Sequence, residues 1–105
     1  MSTLVNQIFE TSAIIDDDRS SLYILAHAME ELGELSQEVI VAQGTSYKHP
    51  GKDGIIGEAV DAIICILDLV KRTHPKITEG DLQAVATAKL QKWVDTTTQI
   101  QQNWN

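Results

Sequence analysis

The chain is short of several things, and each shortage narrows what it can be. It holds one cysteine, Cys65, so no internal disulfide framework is available. It is short of basic charge: eight Lys plus Arg stand against fifteen Asp plus Glu, a net charge of −7. Broad binding to a nucleic-acid polymer needs a basic footprint, and this balance argues against it. A small anionic ligand stays open, provided that cations bridge acid to phosphate. No apolar run approaches the ~20 residues of a membrane span. Met1-Ser2-Thr3-Leu4 has no basic stretch leading into an apolar one, so no signal peptide is expected. Hairpin signals, internal repeats, low-complexity segments and linkers are all missing. At 105 residues the expectation is a single domain over 1–105, soluble and cytoplasmic.

What the chain does have is helical periodicity, enough for four helices. The first is expected from Thr3 to Ile15, with Leu4, Val5, Ile8, Phe9 and Ile15 on one stripe. Asp16-Asp17-Asp18 suits the start of the next helix better than the end of this one. Helix two is expected over Arg19–Ala42, capped by Asp18 or Ser20, with Gly44 as its C′ residue. Its apolar arc holds Leu22, Leu25, Met29, Leu32, Leu35, Val39 and Ile40. His27, Glu31, Glu34 and Glu38 fall along the edge of that arc. Helix three is expected over Lys52–Thr73, with Asp53 as N-cap and His74-Pro75 as its stop. Helix four opens at Thr78-Glu79-Gly80-Asp81, a capping box with Asp in the usual Glu position. Leu82, Val85, Leu90, Trp93 and Ile100 continue on its apolar side.

Helix three is apolar round almost its whole circumference, apart from one acidic stripe of Glu58, Asp61 and Asp68. Such a helix is expected to be buried, and a carboxylate on it must be paired, metal-bound or protonated. Arg72, four residues on, is the expected partner of Asp68. One small protomer cannot readily cover so apolar a helix, so a homodimer or homotetramer with pooled cores is expected.

Two acidic motifs carry the chemistry: Glu30-Glu31-Leu32-Gly33-Glu34 and Glu58-Ala59-Val60-Asp61. Residues three apart on a helix share a face, roughly 5–6 Å apart at Cβ. Glu31 therefore projects with Glu34, and Glu58 with Asp61. Either motif alone also reads as a solvated helix face. If the two helices pack together, four carboxylates converge and raise one another's pKa. A cation relieves that cost, and an all-oxygen donor set suits Mg²⁺ or Mn²⁺.

The two motifs on successive helices resemble the MazG-like family of all-α nucleoside triphosphate pyrophosphohydrolases. The likeness extends through Ala28-Met29 and Leu35 around the first motif, and through Gly57, Ile63, Leu67 and Leu69 around the second. It covers about Ser21 to Val70. The resemblance implies Glu31, Glu34, Glu58 and Asp61 as Mg²⁺ ligands. It implies hydrolysis of a (deoxy)nucleoside triphosphate to the monophosphate and pyrophosphate, in nucleotide-pool housecleaning. Cations so held would bridge phosphate oxygens and lower the pKa of a bound water. Glu34 and Glu38 are the candidates to take that water's proton.

Many relatives carry Lys, Asn and Arg after the last helix, to hold phosphate or base. Here Lys89 and Lys92 stand in that region, and Ala88 through Asn105 contains no Arg. Lys48 and Lys52 flank the loop between the acidic helices and are further candidates for the triphosphate. Tyr47, Trp93 and Trp104 are candidates to stack on a base, with core or subunit contact the first reading of Trp93. His27 reads as a surface or supporting residue, and Cys65 as a buried structural thiol. A di-iron carboxylate bundle needs Glu-x-x-His pairs, and no histidine here has Glu three residues before it. A rival reading is a catalytically silent nucleotide-sensing module with the same fold.

Overall fold

Three of the four helices begin where a side chain serves one of the first unpaired backbone N–H groups. Thr3 Oγ1 accepts from the Asn6 N–H at 3.2 Å. Ser20, rather than Asp18, caps the second helix, accepting from the Tyr23 N–H at 3.1 Å. Thr78 Oγ1 accepts from the Asp81 N–H at 3.1 Å, and Asp81 Oδ2 accepts from the Thr78 N–H at 3.0 Å. The expected capping box therefore closes with Asp. Asp53 departs from expectation: it sits at the N-cap but makes no capping hydrogen bond through its side chain. That side chain lies where a Cβ on residue 57 would be, so only glycine fits at Gly57. Gly44 takes φ +73° beyond the second helix, the left-handed turn expected of a C′ residue.

The structure, a computed structural model, describes residues 2–15, 17–44 and 49–104. The helices are α1 (Leu4–Ile14), α2 (Ser21–Ala42), α3 (Gly54–Thr73) and α4 (Glu79–Trp104). No strand occurs among the described residues, so the all-α expectation holds. None of these helices is long and apolar enough to cross a membrane.

The pairings run in opposite order along α2 and α3. Glu38 meets Gly51, Glu34 meets Glu58, and His27 meets Cys65, so the two helices are antiparallel. Helix α1 also runs antiparallel to α3: Ser12 meets Asp68, and the Phe9 ring lies under Lys71 Nζ at 5.7 Å. Ile8, Phe9 and Leu67 form the buried cluster between them, flanked by Val5, Val70, Ile77 and Leu82. Helix α4 reaches this cluster only through its first turn and the turn before it. Lys71 Nζ ties that turn down, donating to the Pro75 carbonyl at 2.8 Å and the Ile77 carbonyl at 3.3 Å.

The face that α2 turns to α3 takes only Leu35 from the apolar arc. Buried Ile24 and Ala28 and half-buried Glu31, Leu35 and Glu38 form the inward stripe. Leu22, Met29, Leu32, Val39 and Ile40 face outward, Leu22 at 74 % exposure. Within the protomer α3 is covered on two flanks only, and Ile56 is 80 % exposed. Trp93 is no core residue either, at 69 % exposure. The reason is common to all three: each helix carries more apolar surface than its one or two neighbours can cover.

Charge locks α1 and the α1–α2 connection to α3. Asp68 accepts from Ser12 Oγ at 2.5 Å and from Arg19 Nη2 at 3.1 Å. Its partner is thus Arg19 and not the expected Arg72. Arg72 instead donates to Asp17, through both its carbonyl and its carboxylate. Arg19 Nε also binds Asp17, at 2.7 Å. Desolvation works to raise the Asp17 pKa, but hydrogen bonds from the Arg19 backbone, the Arg19 guanidinium and Arg72 outweigh it and leave it lowered. Asp68→Ala removes two partners at once and leaves Arg19 short of a counter-charge. A loss of about 2 kcal/mol in urea unfolding is expected; an unchanged midpoint would show the network to be ornamental.

Candidate metal centre

The antiparallel pairing of α2 and α3 sets Glu31 and Glu34 opposite Glu58. One carboxylate oxygen from each lies within 4.8 Å of the others. Two oxygens on opposite sides of one Mg²⁺ at ~2.1 Å stand roughly 4.2 Å apart, so the spacing is near that of a shared cation. Among the described residues this is the one group of three or more His, Cys, Asp or Glu donors so placed. Glu31 and Glu58 are half-buried, and Glu34 is exposed. Asp61, one turn along α3 from Glu58, is exposed and stands outside the triad.

Two observations fit these residues to a cation. Glu31 Oε2 and Glu58 Oε2 are shut off from solvent and have no hydrogen-bond partner. A buried carboxylate oxygen left so is costly unless something positive meets it. The Glu58 carboxyl is also pushed above its usual value. Desolvation is the leading cause, followed by a hydrogen bond and charge from Glu34, then charge from Asp61 and Glu31. The donors are all oxygen, the set that hard divalent cations take. Glu31, Glu34 and Glu58 are therefore the residues that would hold Mg²⁺ or Mn²⁺, with Asp61 one turn away.

The remaining candidates are scattered. Glu38 is half-buried, and its Oε1 accepts from the Gly51 N–H at 2.7 Å. One of its oxygens is thus committed to the loop that enters α3. Lys52 is exposed in that same entry segment. Lys89 and Lys92 are exposed on α4, which does not pack along α2 or α3. Lys48 and Tyr47 lie outside the described residues, as does the side chain of Trp104.

Two contacts beside the centre had weak sequence signals. His27 Nε2 lies 3.1 Å from Glu31 Oε1, an i,i+4 pair. Its Nδ1 lies 3.9 Å from Cys65 Sγ on α3. Spacing alone could have flagged the first pair, whereas the second needs the helix register. Cys65 is half-buried rather than fully enclosed, and desolvation, then the charges of Glu31, Asp68 and Asp61, push its thiol pKa up.

The raised Glu58 pKa has a thermodynamic sign. Protonated Glu58 favours the folded state below the unfolded carboxyl pKa. That contribution is lost as pH rises through the higher folded value. In EDTA, the melting temperature is expected to fall across that interval, and Glu58→Gln is expected to flatten the fall and melt higher than wild type at pH 7. A variant with the wild-type slope would remove Glu58 as its source. Comparison with family models, with curated proteins and with solved structures yields no match to this chain.

Proposed function

We propose that this chain is a Mg²⁺-dependent nucleoside triphosphate pyrophosphohydrolase of the MazG-like, all-α kind, acting in the cytoplasm on the nucleotide pool. The observation that carries the reading is the convergence of Glu31, Glu34 and Glu58, two of them with an orphaned buried oxygen. Both sequence motifs contribute to that one cluster, as the resemblance requires.

Bound Mg²⁺ would supply neutralisation of phosphate charge and a water of lowered pKa. The chain's own residues would divide the rest. Glu31 and Glu58, half-buried and mutually repelling, hold the cation, with Glu34 and Asp61 completing the acidic rim. Glu34 is exposed and is the better placed acceptor for a water's proton; Glu38 is the second candidate, with one oxygen already engaged. The water oxygen bonds to the α-phosphorus as the α–β bridge breaks, releasing pyrophosphate and the monophosphate. Lys48 and Lys52, flanking the loop between the acidic helices, are the candidate cations for the phosphate tail, and Lys89 and Lys92 would serve only where assembly brings α4 of another protomer to the centre.

Assembly is part of this reading. The protomer exposes 8154 Å², where a folded monomer of 11.6 kDa is expected to expose on the order of 5,800 Å². Its radius of gyration is 17.1 Å against about 13 Å for a compact chain of this length. The surplus area is of the size that obligate partners bury. Apolar stripes on α2, α3 and α4 are the surfaces to cover it. Light scattering is expected to give twice or four times 11.6 kDa; a stable monomer at micromolar concentration would contradict this.

The substrate test is a panel of nucleoside and deoxynucleoside triphosphates with Mg²⁺. Monophosphate and pyrophosphate are the expected products, with turnover in Glu34→Gln and Asp61→Asn reduced by about 100-fold or more. Diphosphate with orthophosphate would contradict the cleavage position. The absence of Arg from Ala88 through Asn105 favours a second reading, a silent nucleotide-sensing module. Tight triphosphate binding with no product would select it.

A further inference from the structure

We propose that His27 is a positioning residue of the acidic centre, holding Glu31 Oε1 so that Oε2 is presented to the cation, with Cys65 setting the imidazole tautomer. The inference rests on the cation reading of the centre and deepens it.

The geometry runs as one chain of contacts from α3 to the centre. A carboxylate only accepts hydrogen bonds, so His27 Nε2, 3.1 Å from Glu31 Oε1, must carry the proton and donate. Nδ1 is then the acceptor, and it faces Cys65 Sγ at 3.9 Å. A thiol is a weak donor. Burial first, and the neighbouring acids after it, push the Cys65 thiol pKa up, so the sulfur stays protonated and able to donate. For a neutral imidazole, thiol to Nδ1 and Nε2 to carboxylate is the assignment in which every contact has a donor and an acceptor. Its consequence falls on Glu31. One oxygen is pinned by His27, and the other, buried and without a partner, is left for the cation.

The pinning matters because Glu31 is otherwise free to turn away. The Glu31 side chain is only 13 % exposed and shares its surroundings with Glu34 and Glu58. Without the imidazole, either oxygen could be drawn off to solvent to escape those charges. Hydrogen-bonded supports of this kind typically change metal affinity 10–100-fold when removed.

Two substitutions separate positioning from packing. The amide nitrogen of Gln lies where His Nε2 lies, whereas that of Asn lies nearer Nδ1 and falls short of Glu31. Mn²⁺ affinity is read by electron paramagnetic resonance and calorimetry, with the urea midpoint of each variant as a folding control. His27→Asn is expected to weaken Mn²⁺ binding about 10–100-fold, and His27→Gln to stay within about threefold of wild type. Equal affinity of His27→Asn and wild type would overturn the inference, as would equal weakening in both variants. Nitrogen chemical shifts of His27 in the metal-free protein give a readout independent of metal and turnover. The Nε2–H tautomer is expected, with Cys65→Ala lowering its share; a dominant Nδ1–H form would overturn the assignment. A wild type that binds no Mn²⁺ would remove the cation reading and this inference together. A wild type that binds while His27→Asn binds equally well would remove the inference alone.

Discussion

The structure turns on acid placed inside a helix–helix seam. An antiparallel pair of helices ordinarily joins through apolar side chains, and the free energy of that contact comes from area withdrawn from water. Here Ile24, Ala28 and Leu35 supply the area on α2, but Glu31 and Glu38 occupy the same inward stripe. Packing α2 on α3 therefore forces Glu31 and Glu34 against Glu58. The protein relieves this locally in different ways. Glu38 takes a backbone N–H, Glu31 takes an imidazole, and Glu58 leans on Glu34 while its pKa climbs. Two oxygens remain unrelieved, and those oxygens define the centre.

Where local rules decide the outcome, the sequence was readable. The Thr78–Asp81 capping box, the left-handed Gly44 and the four helices follow from contacts within a few residues. The acidic spacing was readable for the same reason, since residues three apart share a face in any helix. Three of the four expected ligands meet, while Asp61, at the same nominal spacing, stays at the rim.

Where the outcome depends on which neighbour arrives, the reading slipped. Helix α2 has two usable stripes, and the one carrying Glu31, with only Leu35 from the apolar arc, faces α3. Asp68 has Arg72 four residues away, but Arg19 and Ser12, far off in sequence, capture it, and Arg72 turns to Asp17. Short-range pairings lose in both cases to partners brought by the fold. The Asp53 side chain makes no capping hydrogen bond and lies where a Cβ on residue 57 would be. The Cys65–His27 contact was beyond reach without knowing how α2 and α3 align.

The Glu38–Gly51 hydrogen bond acts as a register pin. It fastens the segment entering α3 to a fixed height on α2, just ahead of Glu58. Every residue added or removed within α3 between Gly54 and Glu58 would rotate the helix by about 100° and slide it about 1.5 Å. The distance in sequence between that pin and the second acidic motif is therefore a geometric quantity. From Gly54 onward the count of residues sets the phase of the centre.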